Sequence, residues 1–257
     1  MPDSKTHFAL SIAGFDPCGG AGILADIKTF EANQVYGLGV CSAITFQNDN
    51  SFVGVDWLSF EQIKSQLDPL FSKYFIDTVK VGLIASLEVF DKLIDYLKQK
   101  NKGIKIIWDP IIKASAGFEF HSKVNQVLLN KILDNIFLVT PNWPEAQVLF
   151  GTCEKSKIKD KVNCAVYLKG GHNMTSCAID YLFDKNMDLH FEAPWIENGE
   201  KHGSGCVLSA AITANISKQQ SLNQACANAK KYVSLFLGSS ENLLGSHYSE
   251  QAHLSHS

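Results

Sequence analysis

His202-Gly203-Ser204-Gly205-Cys206 brings together residue types that can hold an anion and handle a proton. The segment runs without a proline into Val207–Asn215, which predicts a tight loop opening a helix. A helix N-terminus presents unpaired backbone N–H groups and the positive end of the macrodipole, a cradle for phosphate or an oxyanion. Gly203 and Gly205 let the backbone close around such an anion without Cβ clashes. Cys206, at the mouth of the helix, is expected to be partly thiolate because the local field lowers a thiol pKa. One segment thus offers an anion hole and a candidate base.

Five further stretches carry polar chemistry. Ala13-Gly14-Phe15-Asp16-Pro17-Cys18-Gly19-Gly20-Ala21-Gly22 is glycine-rich. It is neither G-x-G-x-x-G nor a Walker A loop, so a plain tight turn explains its spacing equally well. Asp109-Pro110 follows a short apolar run, and Asn142-x-x-Glu145 spaces two polar side chains onto one helical face. Either acid alone reads as a helix cap or a solvated end. Taken with the anion hole, Asp109 and Glu145 suit Mg²⁺, which takes oxygen ligands and bridges nucleotide phosphates. Lys169-Gly170-Gly171-His172 can place an ammonium on a phosphate or simply make a turn. Gln47-Asn48 can read a donor–acceptor edge of a heterocycle or satisfy a turn.

The elements that must position these residues alternate between strand-length apolar runs and helical patterns, the signature of a mostly parallel sheet. Strands are expected at Phe8–Ala13, Leu38–Phe46, Thr78–Leu83, Ile104–Trp108, Ile136–Val139 and Ala165–Lys169. Helices are expected at Gly20–Asn33, Phe60–Tyr74, Leu87–Lys98, around Glu145, at Cys206–Ile216 and at Leu222–Leu237. Cys177–Phe183 and Leu189–Phe191, separated by Asp184-Lys185-Asn186, predict one short antiparallel hairpin at a sheet edge. The polar motifs then fall at the carboxyl ends of strands, where open parallel sheets bind ligands. No repeat or long linker divides the chain, so residues 1–238 are expected to form a single domain. Residues 239–257, rich in Ser and His, are expected to be a poorly ordered tail. A solvated tail is the better reading of His247, His253 and His256, because no ligand spacing accompanies them.

The 257 residues are 46% hydrophobic and 19% charged, ordinary for a globular protein. A net charge of −3 gives no electrostatic reason to expect nucleic acid or an anionic membrane as partner. No apolar run has transmembrane length, and the start has no signal-peptide pattern. The seven cysteines are scattered without a C-x-x-C pair, which points to a reducing cytoplasmic setting rather than a disulfide framework.

In combination and in order, these motifs resemble the hydroxymethylpyrimidine/phosphomethylpyrimidine kinases of thiamine biosynthesis. The resemblance runs from Ile12–Gly22 and Ala25–Phe30 through Tyr36-Gly37, Gln47-Asn48, Val81–Leu83 and Asp109-Pro110. It continues through Thr140–Glu145 and Lys169–His172 to His202–Cys206. It implies a ribokinase-like three-layer α/β fold, a mostly parallel central sheet flanked by helices, usually in a homodimer. It implies transfer of the ATP γ-phosphate to 4-amino-5-hydroxymethyl-2-methylpyrimidine, and then to the resulting monophosphate.

Carried over to this chain, Gln47 bonds the aminopyrimidine edge, Gly14, Ala21 and Leu83 line the ring pocket, and Asp16 belongs to the substrate-binding loop. Asp109 and Glu145 organise Mg²⁺; Lys169 and Asn142 belong to the nucleotide phosphate site. The backbone of Gly203, Ser204, Gly205 and Cys206 stabilises the moving phosphoryl group. Cys206 stands where related sugar kinases carry an aspartate base, and accepts or orients the attacking hydroxyl. This chain departs from the family pattern at Phe15, Cys18, Leu83 and Ser204. The lysine usual near Ser115 is replaced by Lys113, two positions earlier, which bears on the second phosphorylation. A pyridoxal or pyridoxine kinase shares the fold and motif and is the nearest alternative. A non-catalytic vitamin-binding protein is the alternative from another class, although a sensor needs no phosphoryl-transfer residues.

Overall fold

Successive side chains of the central strands enter two different apolar clusters in turn, and that alternation builds the two faces of the molecule. The computed structural model describes residues 6–111, 125–170, 177–197 and 199–248. In β5 (Lys105–Trp108), Ile106 and Trp108 enter one apolar cluster while Ile107 enters another. The same split separates Val139 from Leu138 in β6 (Leu138–Val139). In β7 (Ala165–Leu168) it separates Val166 and Leu168 from Ala165 and Tyr167. Strands with both faces buried must be covered by helices on both sides.

The chain order begins β1 (Phe8–Phe15), α1 (Gly22–Ala32), β2 (Tyr36–Gln47), β3 (Phe52–Trp57), α2 (Phe60–Lys73), β4 (Thr78–Val81) and α3 (Leu87–Lys100). After β5 come α4 (Gln126–Leu133), β6, α5 (Trp143–Phe150), α6 (Lys155–Lys159) and β7. The chain then forms β8 (Cys177–Phe183), β9 (Asp188–Pro194), α7 (Ser204–Ser217) and α8 (Leu222–Leu237). One sheet has the order β3-β2-β1-β4-β5-β6-β7-β8-β9. Neighbours from β2 to β7 run parallel, while β3 and the β8–β9 hairpin are antiparallel. Helices α2, α3, α4 and α5 cover one face, and α7 and α8, with α1 against α7, cover the other. Helix α7 is buried on all sides from Cys206 to Ser217. Its polar side chains survive there by bonding the preceding turn, as Thr213 does to the Ser209 carbonyl and Asn215 to that of Ala211.

The expected β8–β9 hairpin is present, but the opposite edge is antiparallel too, which the sequence reading did not anticipate. Asn48 Oδ1 accepts from the Asn50 and Ser51 amides and turns the chain after β2, so that Phe52–Trp57 pairs back onto it. Helices α4 and α6 were also unanticipated. The beginning of the expected loose tail is a correction: residues 239–248 fold back onto the body. His247 meets the Tyr232 hydroxyl at 2.9 Å and the Phe236 ring at 4.9 Å, and the His202 amide donates to the Leu243 carbonyl at 2.9 Å. His253 and His256 lie outside the described residues.

Candidate active site

Strand order reverses around β1, which sits between β2 and β4, and such a switch point opens a crevice at the strand ends. Gly14 near the end of β1 and Leu83 just after β4 face each other there. A Cβ on Gly14 would lie 3.0 Å from Leu83 Cδ2 and 3.6 Å from Thr45 Cγ2. Gln47 lies two residues beyond Thr45 on β2. It is half-buried, and its amide has no hydrogen-bond partner among the described residues.

The β1–α1 loop is closed from within. Asp16 accepts from the Ala21 amide at 2.8 Å, the Cys18 amide at 3.1 Å and His202 Nε2 at 2.9 Å. Burial works against the charge on Asp16, but these bonds hold its carboxyl below the ordinary carboxylate range. Both Asp16 oxygens thus accept hydrogen bonds from the protein itself, and in this arrangement the residue shapes the loop. Gly203, with φ at +76°, abuts this loop so closely that a Cβ would stand 2.0 Å from the Gly20 carbonyl oxygen. It is also the N-cap of α7, and no side chain caps that helix. The Ser204 amide, expected in the anion hole, instead donates to the Lys201 carbonyl at 3.3 Å, which leaves the first-turn amides of Gly205 and Cys206 for an external anion.

Asp109, directly after β5, is almost fully buried and accepts three hydrogen bonds. Lys169 Nζ reaches its Oδ1 at 2.9 Å, Thr140 Oγ1 reaches the same atom at 3.1 Å, and Ser209 Oγ reaches Oδ2 at 3.1 Å. Burial would raise the pKa, but Lys169 and then Lys80 outweigh it and keep the carboxylate charged. Glu145 at the start of α5 forms a capping box with Asn142, whose amide donates to its Oε2 at 2.7 Å. The cap reading and the site reading of Glu145 are thus both true, because the same oxygen lies 3.6 Å from Lys169 Nζ. Burial, reinforced by the charge of Asp109, pushes the Glu145 carboxyl up.

Lys169 follows β7, where an isolated parallel bridge to Asn142 aligns the two strand ends. Its ammonium sits between the two carboxylates and 3.2 Å from where a Cβ on Gly205 would stand. Gly205 therefore leaves room for a cation at the first turn of α7. Burial opposes that charge, but Asp109 and Glu145 hold the Lys169 pKa above its ordinary value.

Cys206 corrects one expectation. Burial pushes its thiol up to about 11, with Asp109 and Asp26 adding to the rise. Lys80 and the Gly22 amide pull the other way without overcoming it. The helix field thus does not produce a resident thiolate, because the sulfur is out of water and next to two acids.

A buried pair escaped the sequence reading. Lys80 in β4 and Asp26 in α1 are fully buried and paired, Ser11 Oγ donates to Asp26 at 2.6 Å, and Lys80 Nζ reaches the Cys206 carbonyl at 3.4 Å. A lysine flanked by Val79 and Val81 inside a short apolar strand was the available signal. Ser209, three residues past Cys206, carried no signal apart from helical spacing. Gly171, His172 and residues 112–124, with Lys113 and Ser115, lie outside the described residues.

A family model described as phosphomethylpyrimidine kinase matches residues 16–249. A relative from Aquifex aeolicus (strain VF5), named hydroxymethylpyrimidine/phosphomethylpyrimidine kinase, is 36% identical over 246 residues, covering 91% of this chain and 96% of the relative. The structure of a phosphomethylpyrimidine kinase from Clostridium difficile 630 is similar with a TM-score of 0.73 at 29% identity, over 89% of this chain and 98% of that one. A Bacillus subtilis pyridoxal kinase in an ADP complex is similar with a TM-score of 0.81 at 26% identity, over 97% and 99% of the two chains. These kinases share the ribokinase-like arrangement of a mostly parallel sheet between helical layers. Among the described residues, no helix is long and apolar enough to cross a membrane.

Proposed function

Because the chain belongs to the phosphomethylpyrimidine kinase family, we propose that it transfers the γ-phosphoryl group of ATP to the hydroxymethyl group of an aminopyrimidine and then to the resulting monophosphate. The observation that carries this reading is the meeting of Asp109, Glu145 and Lys169 with the uncapped start of α7. Phosphoryl transfer needs chiefly positioning and stabilisation of spreading negative charge, which is what these groups supply.

Lys169 meets a nucleotide phosphate, and the amides of Gly203, Gly205 and Cys206 receive the charge that develops on the moving group. Gln47 pairs with the amino and ring-nitrogen edge of the pyrimidine, over a floor of Gly14, Ala21 and Leu83. Asp16 holds the loop that forms one wall.

The two carboxylates exceed the single charge of Lys169 and are hard oxygen donors, so they fit a divalent cation. Asp109 and Glu145 would hold Mg²⁺ through its waters, and the ion would neutralise charge on the nucleotide phosphates. Cys206 enters as a thiol. At pH 7 a thiol titrating at about 11 is ionised in only about one molecule in 10⁴. It orients the attacking hydroxyl, whose proton leaves late in a loose transition state.

Phe15 and Ile44 are register partners, and Phe46 follows on the same face of β2. All three are exposed. We assign this contiguous apolar face to a second copy of the chain, in a homodimer.

The pyridoxal kinase reading has the higher TM-score, but fold similarity at that identity does not choose a substrate. The test is a product assay with ATP and Mg²⁺ on hydroxymethylpyrimidine, its monophosphate and pyridoxal in parallel. The expected result is phosphorylation of both pyrimidines with the higher kcat/KM. A higher kcat/KM for pyridoxal overturns the assignment, and turnover of the first pyrimidine alone overturns the second transfer.

A further inference from the structure

The loop after β1 and the residue preceding Gly203 bring three donors of different kinds to one point. Asp16 Oδ2 lies 2.9 Å from His202 Nε2, and Cys18 Sγ lies 3.1 and 3.2 Å from the two Asp16 oxygens. The three ligand atoms fall within 4.8 Å of one another. From this cluster we propose a binding site for a borderline-soft divalent cation of the Zn²⁺ type, made of residues other than the Asp109–Glu145 pair.

The donor set argues for that class of ion. A carboxylate, a thiolate and an imidazole make the three-ligand arrangement of open zinc sites, with solvent as the fourth ligand. Cys18 is only partly buried, so water can reach that position. Bonds of about 2.0–2.3 Å require donor atoms roughly 3.2–3.6 Å apart in a tetrahedron, and every pair here stands within about 1.3 Å of that spacing. Mg²⁺ prefers oxygen donors and gains nothing from the sulfur or the ring nitrogen.

The charges and protons balance. The Cys18 thiol gives its proton to solvent, and the His202 ring frees Nε2 for the cation by carrying its proton on Nδ1. The carboxylate and thiolate charges then match that of the divalent cation. Among the described residues His202 Nδ1 is buried without a hydrogen-bond partner, so a proton there finds no acceptor among them. A missing outer-shell partner costs about 10–100-fold in affinity, which makes this an exchangeable site rather than a permanent structural one. When occupied, it ties the β1–α1 loop to the residue before the anion loop, so both walls of the crevice are held by one ion.

The probe is Co²⁺, titrated into chelator-treated, reduced full-length protein and followed by absorption. Wild type is expected to bind one equivalent with a thiolate-to-cobalt charge-transfer band and the visible bands of four-coordinate cobalt. Zn²⁺ displaces it and excess Mg²⁺ does not. C18S removes the charge-transfer band, H202Q weakens binding at least about tenfold, and C206S keeps the band, which assigns it to Cys18. A second measurement needs no variant: Zn²⁺, but not Mg²⁺, slows alkylation of Cys18 in wild type, read by peptide mass spectrometry. No band in wild type, a band that persists in C18S, unchanged affinity in H202Q, or alkylation of Cys18 indifferent to Zn²⁺ each overturns the proposal.

Discussion

At the scale of single residues, the phosphoryl-transfer end depends on how few charges are left unbalanced. Lys169 divides itself between two acids, and the neutral thiol of Cys206 adds no charge of its own. Cys206→Ala is expected to lower kcat by about 10²-fold or more, the usual worth of a positioned proton-handling group. The pyrimidine Kd, measured by calorimetry, is expected to stay nearly unchanged. If the thiol orients rather than ionises, kcat of the wild type is flat between about pH 7 and pH 9. A tenfold rise per pH unit would instead identify the thiolate as base. Much at this scale was legible in the sequence, because Asp109, Glu145 and Lys169 each follow an apolar run and are marked by Pro, Asn or Gly. The protonation state of Cys206 was not legible. It depends on burial and on Asp26 and Asp109, which are far from it in the chain.

At the scale of elements, the site is a seam between the β1–α1 loop and the N-terminus of α7. Gly203 belongs to both sides of that seam, with a left-handed backbone and no room for a side chain. Gly203→Ala is expected to cost about 1–3 kcal/mol for the backbone conformation alone. The clash with Gly20 also parts the two loops, so a lower thermal midpoint and at least about a tenfold loss of kcat should appear together. A variant with wild-type midpoint and turnover would remove the seam from the account. The parallel strands and the helices between them were legible because burial on both faces gives continuous apolar runs. Strand β3 was not, since Phe52–Trp57 buries none of its residues fully and its pairing is decided by the Asn48 turn. Nor was the Lys80–Asp26 pair, whose partners lie 54 residues apart.

At the scale of the whole molecule, the closing segment and the open edge of the sheet make separate demands. Burial, helped by the Lys28 ammonium, pulls the His247 imidazole from 6.5 down to about 4. The folded state thus favours neutral His247. Its contribution to stability is complete above about pH 6.5 and is lost as pH falls toward 4. Over that window the wild-type thermal midpoint is expected to fall about 2–4 °C further than that of His247→Gln. Loss of roughly 1 kcal/mol, after solvent screening, has that effect in a chain of this size. Parallel melting curves for the two proteins would show no contribution. At the edge, Phe46→Asp is expected to convert the proposed dimer to a monomer in sedimentation velocity while leaving the far-ultraviolet circular dichroism unchanged. A wild type that sediments as a monomer would dismiss the pairing altogether.

The contact between His202 and Leu243 has a consequence in time as well as space. During synthesis the first strand and its glycine loop emerge early, and domains fold as their chain becomes available. The groups that complete this crevice come from residues 202–206 and are backed by residues 243–247, which follow β9 in chain order. A ribosome-bound nascent chain halted before Leu243 would carry nearly the whole sheet and still lack the support behind its anion loop. The anion loop therefore gains its support only after residues 243–247 have been made, well after the strands of the sheet.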